Sequence, residues 1–318
     1  MPEKPSDLSA ILETRRRNFG NMHAEWEREE KLVRQEFAHL FDAQYDITIH
    51  ETSTATDIVS QFHNQVRTDE PTVSFRAEGT SREAQAHASL MIQWAYGMLK
   101  REREMGDDPN GQCAYNGLHP GVMAKRVLVE TPRIVNKPKA RREGKAQREW
   151  QDRVAASWPF DIRAVHPLAL YPTPGLKRPL YDMLEVQTRT TADIWREFPD
   201  WKDPKGLTLD AKERTNPSRI VKVLIYWSMD ILDDEGEVKE KGWYIIEVDG
   251  DRVIEKPNPY GFVPYIYEWS GLGRADADGD PVHLGRGILR GKRGELEEEV
   301  RLKTAYSAQA QIHVFPTL

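Results

Sequence analysis

Cysteine is almost absent. Cys113 is the only one in 318 residues, so no disulfide can form within the chain, which fits a reducing compartment. No apolar run approaches the length of a membrane span. Met1-Pro2-Glu3-Lys4-Pro5 lacks the apolar core of a secretory signal. These absences predict a soluble protein made in the cytosol, with no membrane partner. An excess of positive charge is missing too. Lys and Arg number 45 against 51 Asp and Glu, a net charge of −6. Proteins that grip DNA phosphates are usually basic, so tight DNA binding by the whole surface is excluded. A conduit through which DNA slides is a different case, because an acidic or mixed lining would repel phosphate. Solubility alone accounts for the charge equally well.

The motifs of common enzyme classes are also lacking. Histidines are scattered singly from His23 to His313, with no H-x-x-x-H and no Cys/His pair, so each reads as structural. Gly291-Lys292-Arg293-Gly294 has neither the spacing nor the hydroxyl partner of a nucleotide-binding loop. Asp276-x-Asp278-x-Asp280 starts like a calcium loop, but Pro281 stands where the sixth-position glycine belongs and Gly287 where the twelfth-position glutamate belongs. Asp182 and Glu185 could begin a metal-dependent nuclease site. The usual Glu-x-Lys is Glu185-Val186-Gln187, without the lysine that stabilises charge at phosphate. Nothing around Cys113 marks a nucleophile. No metal, cofactor or catalytic residue is expected.

What is present is long amphipathic helices and a run of strands, with nine tryptophans and eleven tyrosines to supply buried or interface area. Residues 7–42 predict one long helix. Leu8, Ile11, Leu12, Phe19, Met22, Trp26, Val33, Phe37, Leu40 and Phe41 recur at spacings of three and four, and Gly20-Asn21 is a candidate break. Arg15-Arg16-Arg17 is either a contact for nucleic acid or an acidic neighbour, or a solvated helix face balanced by Glu25, Glu27, Glu29 and Glu30. The solvated face is the preferred reading. Short strands are expected at Tyr45–His50 and Thr72–Ala77, and helices at Asp57–Arg67 and Ser81–Glu104. Gly106 to Gly111 reads as a loop. Val122–Val129 is either helix or strand. The basic stretch from Lys137 to Arg153 reads as a surface insertion in preference to an arm for DNA or a partner.

The β-rich part begins at Asp161. Tyr181–Thr188 predicts a strand, and Thr190 to Pro199 a short capped helix stopped by proline. Ile220–Ile231, Gly242–Val248 and Asp251–Glu255 predict a meander, with Asp249-Gly250 as a tight hairpin turn. Pro259–Trp269 is expected to join this sheet at an edge or bulge, because Pro264 cannot donate to a ladder.

The last sixty residues organise the rest. After that strand, Gly285-Arg286-Gly287 opens a charged helix to about Gln309, and Ile312-His313-Val314-Phe315 predicts a strand stopped by Pro316. The helix has a thin apolar stripe, Ile288, Leu289, Leu296, Val300, Leu302, Ala305 and Ala308, among many charges. So polar a helix is expected to lack a core in its own chain. It could be one stave of a ring whose neighbours bury the stripe, or an exposed helix supported by pairs such as Glu297–Arg301 and Glu299–Lys303. The physics leaves these even.

The order Asn258-Pro259-Tyr260-Gly261-Phe262-Val263-Pro264-Tyr265, a Gly-x-Gly lead-in, a solitary Glu/Arg-rich helix and a strand ending in proline resembles the portal proteins of tailed bacteriophages. Asn64-Gln65-Val66 followed by Pro71-Thr72-Val73, and Thr191-Ala192-Asp193-Ile194-Trp195-Arg196-Glu197-Phe198-Pro199, extend the likeness. The resemblance implies an α+β fold, portal-like. Long N-terminal helices and an antiparallel β-meander form a wing (1–284), followed by a first stem helix (285–311) and the start of a clip (312–318). It implies a ring of about twelve copies at the capsid vertex of the virion, assembled in the host cytoplasm. Double-stranded DNA would pass through the channel in packaging and ejection. The terminase large subunit, head–tail adaptors and major capsid or scaffold proteins would be partners. The ring would be structural, not an enzyme. Arg290, Lys292, Arg293, Glu297, Arg301 and Lys303 would face the channel or neighbouring subunits. Relative to the family the chain looks truncated, at the first clip strand. The alternatives are a phage nucleic-acid-processing enzyme dependent on a metal, and a monomeric binding module.

Overall fold

The computed structural model describes residues 5–42, 48–66, 74–77, 79–104, 108–129, 160–173, 180–201, 218–274 and 283–314. Helix and antiparallel sheet are mixed, as an α+β chain requires. The chain divides into two compact units. Unit 1 holds Met1–Trp26, His166–Tyr265 and Ala275–His283; unit 2 holds Glu27–Val165, Ile266–Arg274 and Leu284–Leu318.

Helix α1 (Leu8–Val33) is continuous through Gly20-Asn21, and its residues up to Trp26 belong to unit 1. Leu8, Leu12, Arg15, Phe19, Met22 and Trp26 are all buried along one stripe. Unit 1 is built on a sheet of order β3-β4-β5-β8-β9. Its strands are β3 (Leu170–Pro172), β4 (Asp182–Thr190), β5 (Ile220–Ser228), β8 (Trp243–Val248) and β9 (Asp251–Pro257). Between β5 and β8 lies a small hairpin, β6 (Ile231–Leu232) and β7 (Val238–Glu240). In register, Leu184 stands opposite Tyr226, and Tyr226 opposite Ile245. The α1 stripe lies against this face: Arg15 reaches Asp182 on β4, and His23 packs on the Tyr171 ring of β3. The other face carries Glu185, which accepts a hydrogen bond from the Tyr265 hydroxyl, and Trp227, stacked on Tyr244 at 3.8 Å. Cross-strand aromatic pairs of this kind stabilise a sheet beyond their buried area.

The expected turn chemistry is present. Asp249 (φ 51°) and Gly250 (φ 100°) both take the left-handed conformation that a two-residue hairpin turn demands. Helix α5 (Thr191–Glu197) is capped by Thr190, whose hydroxyl accepts from the Asp193 amide. Pro259–Trp269 departs from expectation. Only β10 (Tyr265–Trp269) is strand, and it joins the other sheet, of order β10-β1-β2, at an edge. The Asn258 side-chain amide donates to the carbonyls of Ser228 and Phe262, which with Gly261 (φ 72°) holds 258–262 as a turn.

Unit 2 contains that sheet, with β1 (Val122–Val129) and β2 (Phe160–Ala164) antiparallel. The unit also holds α2 (Thr54–Val66), α3 (Arg82–Glu104), α4 (Pro109–Leu118), which packs on β1 and β2, and α6 (Arg293–Val314). Helix α4 corrects the loop expected up to Gly111: Asp108 caps it by accepting from the Gly111 amide, with Pro109 in its first turn. The α3 boundaries match the expectation, but none of its described residues is fully buried. The basic stretch 137–153, the acidic loop 276–280, Gly106-Asp107 and Phe315 lie outside the described residues. So do parts of the two short strands expected early in the chain; their described parts, 48–50 and 74–77, are not strand.

Two expectations about the C-terminal region are overturned. Helix α6 begins at Arg293 rather than Arg286: the Ile288 amide bonds to the distant Leu118 carbonyl, and the local bonds Arg290 to Gly287 and Lys292 to Leu289 are i to i−3 turns. The strand expected from Ile312 is helix as far as Val314.

Candidate functional site

Three of the six residues singled out on the charged helix, Arg290, Arg293 and Glu297, are covered near its root. Leu289, Leu296 and Val300 are buried in one core with Leu32, Phe37, Ala55 and Val59, and Tyr115 and Ile288 pack beside it. The helix therefore has a core in its own chain, contrary to expectation. Its buried positions 296, 297, 300 and 304 follow the helical period even though the average composition is polar.

Below that core the segment 286–290 is held closely. The Ile288 amide donates to the Leu118 carbonyl at 2.9 Å, and the Ser270 hydroxyl donates to the Arg286 carbonyl at 2.9 Å. Two glycines permit the approach. A Cβ on Gly121 (φ +107°) would stand 2.3 Å from the Arg286 carbonyl carbon; one on Gly287 would stand 2.7 Å from the Leu118 oxygen. The side chains form a buried ionic cluster. Arg290 donates to Glu29, a carboxylate with no solvent exposure. His119, also without exposure, lies 3.0 Å from Glu30 through Nε2 and 3.9 Å from Glu29 through Nδ1. Arg34 donates to Glu30 at 2.9 Å. Burial raises the Glu29 carboxyl above its ordinary range, while Arg290, His119 and Arg293 pull it back. Burial, reinforced by Glu30, likewise raises the Tyr115 phenol.

The six residues assigned to the channel or to neighbours divide into two groups. Arg290 is turned inward on Glu29. Arg293 and Glu297 are largely covered and lie 3.9 Å apart, with Arg28 a further 3.9 Å from Glu297. Lys292, Arg301 and Lys303 are exposed and pair within the helix region, with Glu295, Glu298 and Glu299. The Glu299–Lys303 pair forms as expected. Arg301 selects Glu298, since Glu297 points to the interior. The hydroxyl of Thr54 also donates to Glu299, and these donors hold its carboxyl below the usual range.

The nuclease-like carboxylates of unit 1 are occupied by structural partners. Asp182 accepts from Arg15 at 2.5 Å, from the Tyr226 hydroxyl at 3.0 Å and from Thr173. Glu185 is buried and accepts from Tyr265 and Gln187. Among the described residues no group of three or more His, Cys, Asp or Glu is arranged to hold a metal ion. A cavity of about 630 Å³ between the end of α5 and the start of β9 is walled by Asp200, Trp201, Asp251 and Arg252 among others, with no Ser, Thr, Cys or His. Cys113 is half-buried and donates to the Ala124 carbonyl.

Arg15, Glu29 and His119 were not picked out from the sequence as interior groups. A signal for two of them exists. Residues 8, 12, 15, 19, 22, 26 and 29 continue a single stripe, and Arg15 and Glu29 are its charged members. A charge on a core stripe demands a buried partner. No protein-family model matches the chain, and no curated protein matches it.

Proposed function

We propose that the protein is a subunit of a portal ring of a tailed bacteriophage, a structural conduit without catalytic residues of its own. What supports this is the order of parts along the chain: an α+β body, the Asn258–Tyr265 turn-and-strand, a glycine lead-in, then a long charged helix. The outward face of α6 is suited to contacts between copies. Leu302 is 49 % exposed and Tyr306 69 %, one helical turn apart and flanked by Glu298 and Arg301. Under this reading α6 contributes to the wall of a DNA channel. Lys292, Arg301 and Lys303 are its outward charges, and Arg290, Arg293 and Glu297 anchor it in its own subunit. Terminase, head–tail adaptors and capsid or scaffold proteins would dock on the ring, and the virion vertex would be its location.

The test is negative-stain electron microscopy of the product of the complete reading frame. Rings with an axial hole are the expected result. A monodisperse monomer at micromolar concentration would sink the proposal.

A further inference from the structure

Beneath the root of α6 two hydrogen-bond acceptors lie near each other in a buried site. The carboxylate of Glu30 accepts from Arg34 and lies 3.0 Å from His119 Nε2, so that nitrogen carries the ring N–H. In a neutral imidazole the other nitrogen, Nδ1, then presents a lone pair. It is directed at Glu29 Oε2, 3.9 Å away. Neither Nδ1 nor Oε2 has a hydrogen-bond partner among the described residues, and both residues are fully buried. Two buried acceptors without a donor between them are costly. A single proton, on either atom, turns this opposition into a charge-assisted or neutral hydrogen bond.

We propose that Glu29 and His119 form a buried proton-binding site that clamps the segment 286–290 when occupied. Geometry joins the site to the segment. Glu29 holds Arg290 through its other oxygen, and a Cβ on Gly287 would come within 3.1 Å of Glu29 Oε2. His119 ends the turn whose Leu118 carbonyl receives the Ile288 amide. The surrounding charges come from every neighbouring element. Helix α1 supplies Arg28, Glu30 and Arg34. The C-terminal segment supplies Arg290, Arg293 and Glu297, and α4 supplies Tyr115, with His63 of α2 edge-on to its ring. The direction of the effect follows from Glu29. Burial raises its folded-state pKa above the unfolded value. The stabilisation is therefore complete below the unfolded value and is lost as pH rises through the folded one. Mild acid tightens the clamp and alkali loosens it. The inference concerns one subunit and holds whether or not copies assemble into a ring.

Amide hydrogen exchange at Ile288, corrected for the intrinsic pH dependence of exchange, reads the clamp directly. Protection of this amide is expected to fall severalfold as pH rises from 5 to 8. Glu29→Gln supplies a permanent amide donor to Nδ1 while keeping an acceptor for Arg290, so its protection should be high and flat across this range. His119→Gln keeps a donor for Glu30 but no longer presents a ring nitrogen to Glu29, so its slope should be shallower than that of the unaltered protein, and it serves if the first variant does not fold. Flat protection in the unaltered protein, or the same slope retained in a folded variant, overturns the proposal.

Discussion

Two charged residues on one stripe of α1 meet opposite treatment in the two units. In unit 1, Arg15 enters a closed network: it donates to Asp182 and to the Tyr171 carbonyl, and Asp182 fills its remaining capacity with Thr173 and Tyr226. In unit 2, Glu29 has Arg290 on one oxygen and a facing acceptor on the other. The closed network raises the Tyr226 phenol, through burial first and Asp182 second. The open pair leaves room for a proton. A buried charge therefore specifies geometry when its partners saturate it, and senses pH when they do not.

The units are also expected to respond to acid with opposite signs. His23 is buried between Phe19, Trp26 and Tyr171, and burial, then Arg16 and His166, lower its pKa to about 4. A depressed histidine contributes stability above its unfolded value, and that stability is lost as pH falls from about 6.5 toward 4. Glu247, raised by burial, offsets part of this within unit 1.

The sharpest way to break the comparison is Arg15→Ala. It strands Asp182 in a largely covered site and should cost unit 1 about 3–5 kcal/mol in urea unfolding. A loss under 1 kcal/mol would mean that the network is not closed. Leu296→Ala tests whether α6 depends on the core of unit 2. A loss of about 2–4 kcal/mol is expected there from the cavity, whereas a helix held mainly by neighbouring copies would show little change in the isolated subunit. The pH contrast is read by exchange of the β5 and β8 amides. Unit 1 should weaken by on the order of 2 kcal/mol between pH 6.5 and pH 4, and His23→Gln should remove most of that slope. Thr190→Ala deletes the cap of α5 and should cost about 1 kcal/mol, visible as a drop of a few degrees in melting temperature. The smallest effect belongs to Lys303→Ala, whose exposed pair with Glu299 should be worth less than about 0.5 kcal/mol and vanish in high salt.

Much of unit 1 was legible because its signals are local. Thr190 before an Asp at the third position of a short helix, Asp249-Gly250 between two strand-forming runs, and the apolar run through Trp243–Val248 each specify their own structure without reference to distant residues. Unit 2 was harder for a physical reason. Gly287 looks like the start of a helix, yet it lies against the Leu118 carbonyl and the Ile288 amide bonds there, which ties 286–290 to a segment far earlier in the chain. Pro109 sits in a run of turn residues, yet Asp108 before it makes that run a helix start. The polar composition of α6 concealed a stripe only three or four residues wide, which Phe37, Ala55 and Val59 suffice to cover.

By itself the sequence determined the long helices, the meander and its hairpin turn, and the absence of familiar catalytic motifs, because periodicity, capping and turn conformation act over a few residues. Only the tertiary structure decided which sheet β10 joins, where α6 begins and which way its charges point. Those outcomes depend on backbone and side-chain partners far away in the chain. Arg15 and Glu29 sit on the line between the two: their place on the stripe is written in the spacing, while their partners, Asp182 and the Arg290–His119 pair, are brought to them by folding.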